Sequence, residues 1–275
     1  MSVKQPLFFV NIKEILRTKA PDISKKIPGF IVKLLEWIIE QDKLNDFLQK
    51  NNGEEGVDFM KNAVEYFGIT LHIEREENIP ETGRFIFASN HPLGGLDGIC
   101  LSAALGEKYN GKIKYLVNDI LYFIKPLQKI FVPVNKHGAQ AKGSVQTINE
   151  VFDSENQIIT FPAGLCSRKQ KGEIEDLEWK KMFIVKAIEY RRDVIPVYFE
   201  AKNSPFFYRL ANIRKLLGIK FNIEMLFLPR EMFKSKGKTF KIYFGRPISW
   251  QSFDSSKTPL AWAQEVKKTI YQLKK

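Results

Sequence analysis

Phe85-Ile86-Phe87-Ala88-Ser89-Asn90-His91-Pro92-Leu93-Gly94-Gly95-Leu96-Asp97-Gly98 runs from an apolar, β-forming segment into a glycine-rich turn and then into an apolar helix beginning near Leu96. Polar groups at the end of a buried strand occupy the position where α/β folds place their sites. An imidazole and a carboxylate separated by a flexible turn can fold back on one another, so that Asp97 fixes the tautomer of His91 and the other ring nitrogen is free to take a proton. The pair then reads as a base with its orienter. Ser89 is the one hydroxyl in the segment, so direct deprotonation of an acceptor hydroxyl by His91 is the simplest chemistry to draw. A second reading stays open on spacing alone: Asn90, His91 and Asp97 are residue types that turns and helix N-termini favour for structural reasons.

Outward from this segment the chain alternates. Apolar and β-branched runs predict strands near 69–74, 84–89, 113–117, 130–134, 157–161, 193–199, 222–228 and 240–244. Helices are expected near 96–106, 139–152, 176–190, 206–217 and 259–273. The first 66 residues read as short helices, with apolar residues at helical spacing through Ile31, Leu34, Leu35 and Ile38 and again through Phe59, Val64 and Phe67, broken by Pro21, Pro28 and Asn51-Asn52-Gly53. The expected organisation is therefore a helical N-terminal region over 1–66 and an α/β domain over 67–275. Its sheet should be mixed but mainly parallel, with about seven or eight strands covered by helices, because some connections are too short for a crossover helix.

Composition narrows the partners. Lys and Arg number 43 against 31 Asp and Glu, a formal charge of +12, so the surface attracts polyanions such as nucleic acid, anionic lipid or a phosphorylated substrate. The 22 phenylalanines lean toward a surface that meets apolar material. Cys100 and Cys166 stand alone, outside any CxxC pattern, which leaves disulfide frameworks and structural zinc unsupported and suits a reducing cytoplasm. The N-terminus lacks the apolar core and cleavage site of a signal peptide, and no stretch approaches the roughly 18 apolar residues needed to span a bilayer. Contact with a membrane is expected from one side only.

Asn90-His91 and Asp97, with five residues between His and Asp (Pro92 through Leu96), resemble the first motif of the glycerolipid (lysophospholipid) acyltransferase superfamily, of which 1-acylglycerol-3-phosphate acyltransferases are typical. The usual form has one residue fewer in the gap; the longer form, with Asn-His-Pro and Asp-Gly, looks closest to the hemolysin-like and ornithine- or glycine-lipid-related branch. Three further segments follow in the family order. Ile130-Phe-Val-Pro-Val-Asn-Lys136 resembles the second motif, Phe161-Pro-Ala-Gly-Leu-Cys-Ser-Arg168 the third and Val194-Ile-Pro-Val197 the fourth, so the resemblance spans about residues 70–250.

The resemblance implies His91 and Asp97 as the catalytic pair and a substrate-binding set of Asn90, Lys136, Phe161, Pro162, Gly164 and Arg168, with no metal and no cofactor beyond acyl-CoA or acyl-ACP as cosubstrate. Ala163 stands where the family's third motif has a glutamate. An alanine can neither accept a hydrogen bond from a glycerol hydroxyl nor orient a neighbouring arginine, which weakens the case for a glycerol-phosphate acceptor. Arg168 can bind a carboxylate or phosphate in bidentate fashion, or be a solvated arginine beside Lys169 and Lys171. Cys166 reads as a packed thiol rather than a nucleophile, His72 as a residue of a polar strand face, and His137 as a loop residue near the second motif. The segment Asn203–Lys220 combines large apolar residues with cations at helical spacing. It suits either an interfacial helix or an ordinary one with Phe206, Leu210, Ile213 and Leu217 in the core; Pro28–Ile39 is a second interfacial candidate.

Two functions of different class follow. The first is a cytoplasmic acyltransferase of lipid biosynthesis and phospholipid metabolism, peripheral on the inner face of the cell membrane. It would move a fatty acyl group from acyl-CoA or acyl carrier protein to a lipid hydroxyl, on a lysophosphatidate-type or hydroxyacyl-amino-acid acceptor, with an anionic membrane surface and no nucleic acid among its partners. The second is a non-enzymatic basic module binding membrane or nucleic acid, although the chain carries no RNA-recognition or zinc-finger pattern.

Overall fold

The computed structural model describes residues 9–117, 124–134 and 141–274. Its strands are β1 (Thr70–Glu74), β2 (Phe85–Ser89), β3 (Ile113–Val117), β4 (Phe131–Pro133), β5 (Gln157–Thr160), β6 (Arg168–Gln170), β7 (Glu173–Glu175), β8 (Asp193–Glu200) and β9 (Thr239–Phe244). Its helices are α1 (Ile12–Lys19), α2 (Pro21–Ser24), α3 (Gly29–Ile38), α4 (Gln41–Lys50), α5 (Gly56–Tyr66), α6 (Leu96–Lys108), α7 (Ala141–Asp153), α8 (Met182–Tyr190), α9 (Pro205–Leu216), α10 (Leu228–Phe233) and α11 (Pro259–Gln272).

Seven strands form one sheet in the order β1-β9-β8-β2-β5-β3-β4, parallel throughout except where β9 runs antiparallel to β8. This is the expected α/β class with a mixed, mainly parallel sheet. β2 is central and buried along its whole length, which is why its sequence reads as a continuous apolar run instead of alternating. Ile86 pairs with Ile158 and Val194 on its two sides, Phe87 with Ile159 and Ile195. Ile86, Ile158 and Val194 pack in a core with Trp179, Phe183 and Ile184 and with Ala263, Val266 and Ile270 of α11. Phe87 meets Tyr109 and Phe244. Pro196 is tolerated inside β8 because the β8–β9 ladder stops beside it: Val197 pairs with Phe244, and the Pro196 carbonyl accepts the Gly245 N–H at 2.8 Å.

The structure departs from the sequence reading in three places. Residues 222–228, expected as a strand, form a 3-10 turn over Ile223–Phe227 that leads into α10. Phe227 packs on Phe206 and Glu224 pairs with Arg214 at 2.9 Å, so contacts with α9 override the β-propensity of the segment. The helix expected from 176 begins only at Met182, because Asp176 and Trp179 are buried in extended chain before it. Between β5 and α8 lies an unexpected antiparallel hairpin, β6–β7. Its two-residue turn, Lys171-Gly172, has φ of 49° and 91°, the positive values that match the twist of a tight hairpin.

The chain divides into two compact units, Met1–Glu54 with Asn203–Lys236 and Glu55–Lys202 with Gly237–Lys275, a division different from a boundary at residue 66. Helix α5 goes with the sheet because it packs closely on α6: a Cβ at Gly106 would come within 2.5 Å of Val57 Cγ1. The sheet unit contains every candidate site residue among the described residues. The other unit is helical, tied by the Asn45 side chain to the backbone of Val10 and by Arg230, which pairs with Glu40 and lies over the Trp37 ring.

Candidate active site

β2 and β5 are parallel neighbours, so the chain leaves both at the same edge of the sheet. β2 delivers His91 there and β5 delivers Phe161-Pro162-Ala163-Gly164. The two segments, seventy residues apart in sequence, meet directly: the Phe161 ring lies 4.2 Å from the His91 ring, tilted by 35°, and the Ser167 N–H donates to the His91 carbonyl at 2.8 Å.

His91 Nδ1 is 3.0 Å from Asp97 Oδ2. An ionised carboxylate only accepts, so Nδ1 carries the proton and the lone pair of the neutral ring is on Nε2. The His91 side chain is 13% exposed, that of Asp97 not at all. Asp97 has two tasks. Its Oδ2 also accepts the N–H groups of Leu93 and Gly94, and its Oδ1 those of Gly95 and Gly98, so the carboxylate closes the turn and caps the start of α6 while it holds the imidazole. The geometry required by the structural reading of this aspartate and the contact required by the catalytic one occur together. Burial opposes a charge on His91, but attraction to Asp97 and the hydrogen bond to it outweigh that cost, Asp176 adds to them, and Arg168 pulls the other way; the net pKa is raised. Burial likewise opposes the charge on Asp97, yet His91 and the backbone donors overcome it and hold the carboxyl below its usual range.

Gly98 permits this geometry. A Cβ there would lie 2.7 Å from Tyr115 Oη, so only glycine lets α6 start over the Tyr115 ring. Tyr115 in turn packs edge-on against Phe161. Burial, with the Asp97 charge, pushes its phenol pKa well up, so it stays protonated.

The third segment forms a tight turn in which the Gly164 N–H donates to the Phe161 carbonyl at 2.9 Å, with Gly164 at φ 68°. The Pro162 carbonyl accepts from Lys180 N–H, fixing the turn to the chain ahead of α8. Ala163 is buried in the core cluster. Arg168, expected as either an acceptor-site or a surface residue, is buried at 7% exposure, its Nη1 donating to the Cys166 carbonyl at 2.7 Å and contacting Cys166 Sγ at 2.8 Å. Neither Cys100 nor Cys166 is in a disulfide and both are buried, and burial pushes the thiol pKa of Cys100 far up, which disfavours a thiolate.

Asn90, expected to bind substrate, bonds the neighbouring strand with its side chain. Its Nδ2 donates to the Phe199 carbonyl and its Oδ1 accepts the Phe199 N–H, so the side chain extends the β2–β8 pairing by one rung. Lys136 and His137 lie outside the described residues. His72 is exposed on β1, beside Lys241. Sequence reasoning missed Asp176, 1% exposed, whose carboxylate accepts from the His91 N–H at 3.1 Å, Ser167 Oγ at 2.6 Å and Trp179 Nε1 at 2.8 Å. Its own N–H donates to the Tyr271 hydroxyl and its carbonyl accepts from Lys267 Nζ, both on α11.

Comparison with known proteins agrees with this architecture. A lyso-glycine lipid O-acyltransferase of Bacteroides thetaiotaomicron is 51% identical over 267 residues, covering 97% of this chain and 98% of that protein. One from Phocaeicola vulgatus is 51% identical over 97% of this chain and 96% of its own. The crystal structure of the 1-acyl-sn-glycerophosphate (LPA) acyltransferase PlsC from Thermotoga maritima shares the fold, with TM-score 0.51 at 18% identity over 90% of this chain and 88% of that one. Residues 14–275 match the family described as Acyltransferase, a span that takes in both strand ends of the site, and the chain belongs to that family.

Proposed function

We propose that this enzyme transfers a fatty acyl group from an acyl thioester, carried by coenzyme A or an acyl carrier protein, to the free hydroxyl of a lyso-glycine lipid. The observation that carries the proposal is identity of 51% along almost the whole chain to enzymes named for that acceptor. The geometry suits the chemistry. His91 Nε2 takes the hydroxyl proton as the oxygen attacks the thioester carbonyl; the tetrahedral adduct collapses, the C–S bond breaks, and the imidazolium returns the proton to the departing thiolate. Asp97 keeps the ring oriented and favours its charged form. Phe161 packs on the ring, and Pro162 and Gly164 shape the turn beside it. Arg168, buried near enough to His91 to depress its basicity, suits the glycine carboxylate, and Ala163 leaves out the family's glutamate. Lys136 remains a candidate cation for the head group on its motif position alone.

A lipid acceptor implies a surface that meets lipid. In the helical unit α3 exposes Phe30, Leu34 and Trp37 on one face, and α9 with the residues after it exposes Ile213, Leu216, Leu217 and Phe221, interspersed with Arg209, Lys215 and Lys220. The buried face of α9 is Phe207, Tyr208 and Ala211, so Phe206, Ile213 and Leu217 are not the core residues of an ordinary helix. No helix among the described residues is long and apolar enough to cross a membrane. Peripheral binding to an anionic, cytoplasmic membrane face fits this arrangement.

The test offers purified protein one labelled acyl donor with a lyso-glycine lipid and lysophosphatidate in competition. Acylated glycine lipid is the expected product, and Arg168→Ala should weaken use of that acceptor about 10- to 100-fold, the worth of a charge-assisted bond. Exclusive formation of phosphatidate would reverse the acceptor assignment.

A further inference from the structure

Asp176 is a buried charged side chain of the sheet unit whose role the reaction leaves unexplained. Its carboxylate accepts from three donors on three different segments. The His91 N–H belongs to the turn that carries the base, Ser167 Oγ to the loop that follows β5, and Trp179 Nε1 to the chain that enters α8. Its backbone is held from the far side by Tyr271 and Lys267 of α11. The Ser167 N–H completes a ring of contacts by donating to the His91 carbonyl. A neutral core residue would have packed here with no need to bury a carboxylate, and burial disfavours the charged form of Asp176, which its donors offset only in part.

We propose that Asp176 is a positioning residue of acyl transfer: it joins the backbone of the base-bearing turn to the loop of the third motif, and so sets His91 against the acceptor side of the site. The inference rests on His91 and Asp97 being the catalytic pair. The titratable and charged groups packed around Asp176 are His91 and, beyond it, Asp97; Arg168 and Glu175 on the hairpin; and Tyr271 and Lys267 on α11. Among these, the negative charge of Asp176 helps to raise the basicity of His91. A carboxylate contributing only to packing would affect stability. One that positions and polarises the base affects turnover and its pH dependence as well.

The decisive variant is Asp176→Asn, which keeps the shape but cannot accept all three hydrogen bonds. With the full chain, kcat should fall on the order of 10- to 100-fold, the size of a small misplacement of a catalytic group. KM for the acyl thioester should stay within about twofold, as expected when an interaction specific to the transition state is lost. The acid limb of the pH profile should move to lower pH, and Asp176→Glu, which is longer by a methylene, should not restore kcat. Ser167→Ala, which removes one donor and leaves the carboxylate and its charge, should lower kcat by less and leave the acid limb where it is. A folded Asp176→Asn protein with wild-type kcat and an unmoved acid limb overturns the proposal. If Asp176→Asn does not fold, Ser167→Ala decides, and wild-type kcat there overturns it equally. His91→Ala is measured alongside: activity in that variant removes the catalytic-pair reading itself, whereas an inert His91→Ala beside a fully active Asp176→Asn removes only the role of Asp176.

Discussion

At the scale of single residues, the base and its partner are coupled so closely that they cannot be altered independently. His91→Ala should remain folded and lose about 10²- to 10⁴-fold in turnover, the range for loss of a general base, as measured by transfer from a labelled thioester to extracted lipid. Asp97→Asn should lose activity and stability together. An amide placed among four backbone N–H donors and an imidazole N–H leaves some of them unsatisfied, at about 1–3 kcal/mol, visible as a lower melting temperature than that of His91→Ala. The raised pKa of His91 sets a further expectation. The base form is reached only above the ordinary imidazole value of about 6.5, so activity should climb on the alkaline side of it, while the stabilisation from the charged ring is complete below that value and declines as pH rises through the raised pKa. Rate and melting temperature recorded on one pH series should therefore move in opposite directions; parallel movement would contradict the assignment. His91 and Asp97 were legible in sequence because a single local turn joins them. Asp176 was not, since it stands among Glu173, Glu175 and Glu178 and reads as one more solvated acid, and Arg168 beside Lys169 and Lys171 is disguised in the same way. Burial distinguishes both from their neighbours, and burial there depends on partners distant in sequence.

At the scale of elements, the start of α6 has no room for added volume beside Tyr115. Gly98→Ala places a methyl against Tyr115 Oη, and because Gly98 also donates to Asp97, any shift that relieves the clash moves the carboxylate that orients His91. Turnover should fall by more than about tenfold with the fold retained, as judged by circular dichroism beside the rate. Strands with continuous apolar runs were legible because burial on both faces leaves no other pattern. Hairpin β6–β7 was hidden by its charged residues, although Lys171-Gly172 carries the chemistry of a tight turn, and residues 222–228 were misread because alternation alone does not reveal that α9 has claimed their side chains. The outer face of α9 gives its own test. Replacing Leu216 and Leu217 by serine should weaken sedimentation with anionic vesicles without lowering turnover on a detergent-dispersed acceptor; unchanged sedimentation would remove this helix from the membrane-binding surface.

At the scale of the whole molecule, the proposed membrane partner would answer the net charge of +12 with anionic head groups and the exposed apolar residues of the helical unit with an apolar interior. Vesicle binding should fall as salt is raised through the range where the Debye length drops below about 10 Å, and neutral vesicles should bind less at every salt concentration. The α/β class and the order of the motifs were legible from the alternation of strands and helices. The division into units was not, since Asn203–Lys236 joins the N-terminal helices after an interval of about 150 residues and no local pattern announces that return. The bonds from Asp176 to Tyr271 and Lys267 have a consequence in time. A ribosome releases His91 first, then the loop after β5, then Asp176, and only later the helix that holds Asp176 in place. At roughly 5–20 residues per second, that interval is on the order of ten seconds. A chain truncated before Pro259 should therefore keep His91 and the third motif yet transfer no acyl group, because it lacks both the α11 side chains of the core and the two bonds that hold Asp176.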